Sequence, residues 1–242
     1  MGHGRWGANH ARAAATARGT VLKGVVDPRP AAREAARQRY GVRTSASLSQ
    51  ALSDSSVEAV VIATPAATHT EVVSEALRSG RHVLVEKPAA MNLAEAQMMA
   101  AEADARGLQL SAGHTFLYTQ PVRNLARWLR EAAPSTPWLV RSERLGGRRR
   151  TDCDVLWNFG PHDVSVLLHL LAEPVVEVTA RGHRFPGGRT LTGSRSTSAS
   201  HQVSVARSTS AGGTRAPSGR CACWARTGRS STATATWTAR TR

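Results

Sequence analysis

The 242-residue sequence predicts an α/β protein whose first half is a doubly wound parallel sheet. Three apolar runs of strand length, at 57–64, 82–85 and 108–113, are separated by segments with the length and composition of helices. A fourth run, 20–27, lies nearer the N-terminus and ends in Asp27. Strands that alternate with helices at this spacing are typical of βαβ units, so we expect these four strands to run parallel.

Helices are expected in the intervals between these strands. An Ala- and Arg-rich segment follows Gly7 to about Arg18, and the later predicted helices are 30–40, 48–52, 70–79 and 92–106, with a short extended segment near 42–44. The pattern changes after Gly113, where we predict a helix at 122–129, a strand at 137–145, a helix at 164–171 and a strand at 174–180. A second, mixed α/β region is therefore expected beyond the parallel sheet.

The C-terminal quarter of the chain has a different composition. Residues 182–242 contain 10 Arg, no Lys and no acid, whereas residues 1–181 contain 22 Lys and Arg against 17 Asp and Glu, so most of the net charge of +15 lies in the tail. Ser and Thr fill 21 of its 61 positions, and too few large aliphatic residues remain to offset the entropy of ordering. We expect an irregular or disordered basic tail, and we hypothesise a frameshift near 183–190.

Composition also argues against several classes of protein. No apolar run approaches the length that spans a bilayer, and the N-terminus has no signal-peptide pattern, so no membrane contact is expected. Three cysteines, two of them spaced as Cys221-Ala-Cys223, fit neither a disulfide framework nor a zinc site, which favours a reducing cytoplasm and no metal. Nucleic-acid binding by the basic tail is the weakest alternative, because the tail has no lysine and no regular face; no nucleic-acid partner is expected.

A glycine motif opens the chain. Gly2, Gly4 and Gly7 form a G-x-G-x-x-G pattern, which is followed by a helix, a strand and Asp27. Glycines let the backbone approach a pyrophosphate, a helix N-terminus offers N–H groups, and the acid accepts from ribose hydroxyls, so the arrangement predicts a dinucleotide site. The alternative is a glycine-rich turn followed by an unrelated Asp. Only Met1 precedes the motif where a central strand of the sheet is expected, so we expect either that the true start lies upstream of Met1, which we prefer, or that the protein lacks the middle of its core.

Polar residues follow two of the predicted strands. One strand runs into Glu86-Lys87-Pro88, and an earlier one ends at Thr64-Pro65. Because the carboxyl ends of parallel strands form the ligand crevice, Lys87 is expected beside whatever the sheet binds. Pro88 restricts the backbone of Lys87 and so limits where the amine can point. The alternative for Lys87 is an ordinary salt bridge at the end of a strand.

Five motifs occur together in the chain: Gly2-x-Gly4-x-x-Gly7, Asp27, Thr64-Pro65, Glu86-Lys87-Pro88 and Gly160-Pro-His-Asp163. In combination they resemble the Gfo/Idh/MocA family of NAD(P)-dependent oxidoreductases over about residues 1–181. The runs 113–118, 142–146 and 156–163 are similar to the branch that oxidises nucleotide-linked sugars. The resemblance implies a Rossmann domain over 1–115, a partial α/β substrate domain over 116–181 and an unmatched tail over 182–242, with the chain truncated at both ends.

The resemblance also implies roles for individual residues. Lys87 would hydrogen-bond the reacting sugar hydroxyl beside the nicotinamide, and His162 would be the general acid/base, entering on a helix after a Gly160-Pro161 turn. Many members have an Asp where this chain has Asn158, which could orient the substrate or His162 but cannot titrate. The residues expected to bind the cofactor are Gly2, Gly4, Arg5, Trp6, Gly7, Asp27, Thr64, Pro65, His69, Glu86 and Lys87.

The expected cofactor is NAD, because the Asp27 carboxylate would repel a 2′-phosphate, although the nearby Arg29 leaves NADP open. The expected substrate is a sugar, with a nucleotide-linked sugar favoured by the local runs. A homo-oligomer of the family's type is left open, since the sheet that usually forms its interface is missing. The alternative to an active dehydrogenase is a non-catalytic remnant that binds nucleotide weakly or not at all.

Overall fold

The computed structural model describes residues 1–131, 139–144, 155–172, 175, 201–206 and 233–236. The chain divides into two compact units, Met1–Gly113 and His114–Arg242. The division falls at Gly113, where the sequence changes from a regular strand-helix alternation to a mixed pattern. No helix within the described ranges is long and apolar enough to cross a membrane.

The first unit alternates short strands with helices. Its strands are β1 (Gly24–Val26), β2 (Arg43–Ser45), β3 (Ala59–Ile62), β4 (His82–Val85) and β5 (Leu110–Ala112). Its helices are α1 (Arg5–Thr16), α2 (Pro30–Tyr40), α3 (Leu48–Leu52), α4 (His69–Arg78) and α5 (Leu93–Ala105), with a 3₁₀ turn at Ala66–Thr68. The predicted alternation is confirmed, and several strands are shorter than their apolar runs.

The strands of the first unit form two parallel sheets. β1 pairs with β2, and β4 lies between β3 and β5. Met1 and Gly2 lie between the two sheets: the amino group of Met1 donates to the Val61 carbonyl at 2.6 Å, and the Gly2 N–H donates to the Val26 carbonyl at 2.8 Å. Ala63 N–H donates in turn to the Met1 carbonyl at 2.8 Å. Met1 and Gly2 therefore lie where the last residues of a central strand would lie, which is the position that the sequence pattern predicts.

The core of the first unit lies between the sheet of β3, β4 and β5 and the helices α3, α4 and α5. Its most deeply buried side chains are Ile62, Val73, Leu77, Val85 and Met99. Val73 and Leu77 are four residues apart on α4, so they present one apolar face to the sheet. A buried parallel sheet of this kind aligns the carboxyl ends of β3 and β4 at one edge, where the predicted site residues follow.

The second unit contains α6 (Gln120–Glu131), α7 (Val155–Leu171) and β6 (Leu139–Arg144). Its core contains one buried residue from α6, one from β6 and two from α7, namely Ala126, Val140, Leu167 and Leu170. The predicted turn at Gly160-Pro161 is wrong, because α7 begins at Val155 and continues through both residues. Proline costs a helix one hydrogen bond. The helix continues in spite of that cost, and the residues after the proline are held by the contacts of His162 with Phe116 and of Asp163 with Ser142.

Two strands occur in the tail where none was predicted. β7 (His201–Ala206) and β8 (Ala233–Thr236) pair antiparallel with opposite edges of β6. The Ser-, Thr- and Arg-rich composition around them led to the expectation of an irregular tail, although Val203 and Val205 alternate with polar residues in β7. The rest of 182–242 and nearly all of the predicted strand 174–180 lie outside the described residues, and the frameshift stays a hypothesis.

Candidate functional site

The glycine motif packs tightly at its two ends and is open in the middle. Gly2 has φ of +82°, and a Cβ atom there would lie 2.7 Å from the Ala63 carbonyl oxygen. A Cβ on Gly7 would overlap the carbonyl oxygen of Gly2. No atom of the described chain lies within 4 Å of a Cβ built on Gly4. Gly2 and Gly7 are thus required by the fold of the loop, whereas Gly4 keeps space clear beside it.

Helix α1 starts in this open space. Gly4 is its N-cap residue and no side chain caps the first turn, which begins with Arg5 and Trp6, both exposed. The N–H groups of a first helical turn have no partner within the helix and carry the positive end of its dipole. The loop and helix therefore fit a pyrophosphate, which needs close backbone approach and N–H donors.

Asp27 lies directly after β1, with only 2 % of its surface exposed. Its carboxylate accepts from the backbone N–H of His3 at 2.7 Å and of Arg29 at 2.9 Å. The Arg29 guanidinium forms a fork on the same carboxylate: its Nε and Nη2 each donate a hydrogen bond of 3.0 Å, one to each oxygen. Burial raises the pKa of Asp27, but these donors outweigh it and lower the pKa to about 2. The carboxylate is therefore charged at neutral pH, and each of its two oxygens accepts two hydrogen bonds from the protein.

The segment after β3 is fixed by a buried histidine. His69 is 1 % exposed, with Nδ1 2.8 Å from the Pro88 carbonyl oxygen and Nε2 3.0 Å from the Thr64 carbonyl oxygen. The Thr64 hydroxyl accepts from Thr68 at 2.9 Å, and Pro65 is exposed at the rim. His69 therefore joins the segments that follow β3 and β4, and its ring is turned to the backbone.

The segment after β4 carries Glu86 and Lys87. Glu86 is 8 % exposed, and its Oε1 accepts from Nε2 of His10 in α1 at 2.7 Å. Its Oε2 accepts from the Lys87 backbone N–H at 3.2 Å. Burial raises the pKa of Glu86, but the contacts with His10 and Lys87 lower it overall. Both oxygens of Glu86 thus face protein donors, and the Lys87–Pro88 peptide bond that follows is cis.

In the second unit, Asn158 and His162 lie four residues apart on α7, so their side chains share one face of the helix. The ring of His162 meets Phe116 edge to face, with centroids 4.8 Å apart. The next residue, Asp163, is buried and accepts from the Ser142 hydroxyl at 2.9 Å. These contacts orient the first half of α7 against the strand β6 and the Phe116 segment.

The structure brings the N-terminal site residues together at one edge of the first unit. His3, in the glycine loop, donates its backbone N–H to Asp27. Gly2 of the same loop packs against Ala63, the residue before Thr64, and His10 of α1 contacts Glu86. Asn158 and His162 belong to the other unit, so their convergence with Lys87 stays a prediction. Within the described ranges, no group of three His, Cys, Asp or Glu side chains could hold a metal ion.

The sequence did not indicate that His10 would contact Glu86, or that His69 would lie between the carbonyl oxygens of Thr64 and Pro88. His10 contacts a residue 76 positions away, and nothing in its local pattern indicates that partner. The spacing offered one signal: His10 follows Gly7 by one helical turn, so it lies on the same face of α1 as the glycine that packs against the loop.

Comparisons with known proteins find a family match over the first unit. Residues 1–114 match the family model GFO_IDH_MocA, described as an oxidoreductase family with an NAD-binding Rossmann fold. The chain is 34% identical over 128 residues to a UDP-N-acetylglucosamine 3-dehydrogenase of Acidithiobacillus ferrooxidans, covering 52% of this chain and 40% of that protein. It is 42% identical over 96 residues to an inositol 2-dehydrogenase of Leifsonia xyli, covering 39% of this chain and 28% of that protein.

Among solved structures, the fold is similar to GenD2 from gentamicin A biosynthesis in complex with NAD, with a TM-score of 0.70 and 29% identity. That match covers 79% of this chain and 58% of GenD2. The chain thus spans less than two thirds of the length of each of these relatives.

Proposed function

We propose that the chain is an oxidoreductase of the Gfo/Idh/MocA family, whose model matches residues 1–114, and that it transfers a hydride between a carbinol carbon of a nucleotide-linked sugar and NAD. The observation that carries the proposal is the open space at Gly4 in front of an uncapped helix. The neighbouring His3 N–H donates to the charged Asp27, and His10 of the same helix contacts Glu86, the residue before Lys87. These are the features that a dinucleotide requires of a parallel sheet.

The first unit holds the cofactor in this proposal. The first turn of α1 donates N–H groups to the pyrophosphate, Gly4 leaves room for its approach, and Asp27 accepts from the adenosine ribose. Arg5 and Trp6 begin this turn, Thr64 and Pro65 follow β3, and we expect all four to contact the cofactor. When bound, the nicotinamide ring supplies the hydride acceptor or donor.

Lys87 and His162 act on the substrate hydroxyl. Lys87 hydrogen-bonds the reacting oxygen and stabilises negative charge that develops on it. His162 takes the hydroxyl proton during oxidation and returns it during reduction, an effect worth roughly 10²–10⁴ in rate. Asn158, one turn before His162 on α7, donates or accepts at a neighbouring sugar hydroxyl and does not exchange protons.

The sugar-nucleotide substrate is supported by the relative that is named for UDP-N-acetylglucosamine and by the matching local runs in 113–163. A free cyclitol is the competing substrate, since another relative is named for inositol. A non-catalytic remnant remains the second candidate, because the chain covers only part of each relative's length.

Turnover assays separate these possibilities. NADH formation is followed by absorbance with NAD and UDP-N-acetylglucosamine, UDP-glucose or myo-inositol. The proposal predicts activity with a UDP-sugar that is lost in Lys87→Met and kept in Lys23→Met, the matched control, since these are the only two lysines of the chain. NADH binding without turnover on any sugar would favour the remnant, and equal activity in both lysine variants would contradict the role of Lys87.

A further inference from the structure

The backbone on both sides of Lys87 is anchored. On the N-terminal side, the Glu86 N–H donates to the Ile62 carbonyl of β3 at 2.8 Å. On the C-terminal side, the Pro88 carbonyl oxygen lies 2.8 Å from Nδ1 of the buried His69. The sheet and α4 therefore fix the path of the chain through Lys87.

The Glu86 side chain is anchored separately and from a different element. Its carboxylate bridges Nε2 of His10 at 2.7 Å and the Lys87 N–H at 3.2 Å. His10 is half-buried on α1, one turn beyond Gly7, with 20% of its side chain exposed against 10% for Glu86. The helix whose first turn faces the dinucleotide space thus reaches the carboxylate beside Lys87 through one hydrogen bond.

We propose that His10 is a positioning residue for Lys87: by holding the buried Glu86 carboxylate against the Lys87 backbone, it sets where the lysine ammonium can lie. This inference deepens the proposed function and rests on the role given there to Lys87. A buried carboxylate that loses a hydrogen-bond donor must turn to find another or take up a proton. Either change removes a fixed negative charge from beside Lys87.

The two lysines make this inference measurable without turnover. Lys23 is exposed and lies just before β1, whereas Lys87 is half-buried at the site. Protein labelled with ¹³C at the lysine ε-carbon gives two resonances, with Lys23 as an internal reference. Lys87→Met and Lys23→Met assign them. The test compares wild type with His10→Ala, with His10→Gln, whose amide can still donate to Glu86, and with Asn9→Ala, an exposed neighbour on α1.

In His10→Ala, the Lys87 resonance is expected to move at least halfway to the Lys23 position and to narrow as the side chain gains mobility. His10→Gln should restore most of the wild-type position, and Asn9→Ala should leave it unchanged. The Lys23 resonance stays in place in every variant. A Lys87 resonance that does not move in His10→Ala, or that moves equally in His10→Gln, overturns the inference, as does a matching movement of Lys23.

NADH binding to the same samples distinguishes this inference from the proposed function. Wild type and His10→Ala are expected to bind NADH with the same affinity, because His10 holds Glu86 and not the dinucleotide. If wild type fails to bind NADH, the proposed function fails, while the lysine resonances still decide the role of His10. If His10→Ala alone loses NADH binding, His10 supports the dinucleotide loop, and the positioning role is contradicted.

Discussion

The carbonyl oxygen of Gly2 occupies the space that a side chain on Gly7 would need. The two residues lock the turn that leads into α1, while Gly4 between them faces open space. The three glycines of one motif therefore have two separate physical tasks. Two of them allow the loop to fold, and one leaves room for a ligand.

Matched serine substitutions separate these tasks. Gly7→Ser is expected to destabilise the chain by about 1–3 kcal/mol, the usual cost of overpacking. Gly4→Ser is expected to keep or raise stability, because serine is a good N-cap residue, yet its side chain would fill the pyrophosphate space and weaken NADH binding at least about tenfold. Urea denaturation and NADH fluorescence titration measure the two effects. A Gly4→Ser variant that binds NADH normally would show that the open space is not the ligand site.

Asp27 should make stability depend on pH in the acid range. Its pKa is about 2 in the folded chain against an ordinary 3.8. A carboxyl group with a lowered pKa stabilises the fold fully above pH 4 and loses that contribution as pH falls toward 2. Asp27→Asn should therefore cost roughly 2 kcal/mol at pH 7 and progressively less below pH 4. Urea denaturation at pH 7, 5, 4 and 3 tests this; a difference independent of pH would mean that the carboxylate charge does not stabilise the fold.

The strand β4 and the lysine that follows it were predictable because an apolar run bounded by charged residues leaves little freedom in its assignment. The length of α7 was not, because Gly160-Pro161 is a local turn signal, whereas the contacts of His162 with Phe116 and of Asp163 with Ser142 hold this part of the chain in the helix. The local preference of Gly160-Pro161 for a turn was therefore overridden by tertiary contacts, and the segment is helical.

The contacts around the site were less predictable than the motifs. The sequence indicated Asp27 but not that Arg29 would form a fork on its carboxylate, and it indicated Glu86 but not His10. Each of these partners is an ordinary surface-type residue in its own segment. Which residues pair depends on the three-dimensional arrangement of the helices and strands, and a single sequence does not indicate that arrangement.

The fork between Arg29 and Asp27 predicts how cofactor preference can be changed. In Asp27→Ala the carboxylate that repels a 2′-phosphate is removed, and the guanidinium loses the partner that now holds it by two contacts at 3.0 Å. The freed Arg29 can bind the 2′-phosphate, so affinity for NADPH relative to NADH should rise about tenfold or more. The double variant Asp27→Ala/Arg29→Ala should lose that gain. An equal NADPH gain in both variants would exclude Arg29 as its source.

His69 should be needed for stability in a way that glutamine can partly replace. Both ring nitrogens face carbonyl oxygens, and a neutral imidazole can donate to only one of them. His69→Leu removes the one N–H that a neutral imidazole donates to these carbonyl oxygens, at a cost of about 1–3 kcal/mol. His69→Gln has two amide hydrogens and should cost less.

The control for this effect is His169→Leu, which changes an exposed histidine on α7 and should alter stability little. All three variants are compared by urea denaturation at one pH. If His69→Leu and His69→Gln are equally destabilised, the effect of His69 comes from its packing volume, and its hydrogen bonds contribute little.

A crystal structure of the chain with NAD would show whether the dinucleotide binds at the glycine motif and reaches Lys87. We expect the pyrophosphate over Gly4 at the first turn of α1, the adenosine ribose on Asp27 and the nicotinamide at the end of β4. Its reactive carbon should lie within roughly 4–5 Å of the Lys87 amine, close enough for both to meet one substrate hydroxyl. A dinucleotide bound elsewhere, or one whose nicotinamide lies away from Lys87, would contradict this expectation.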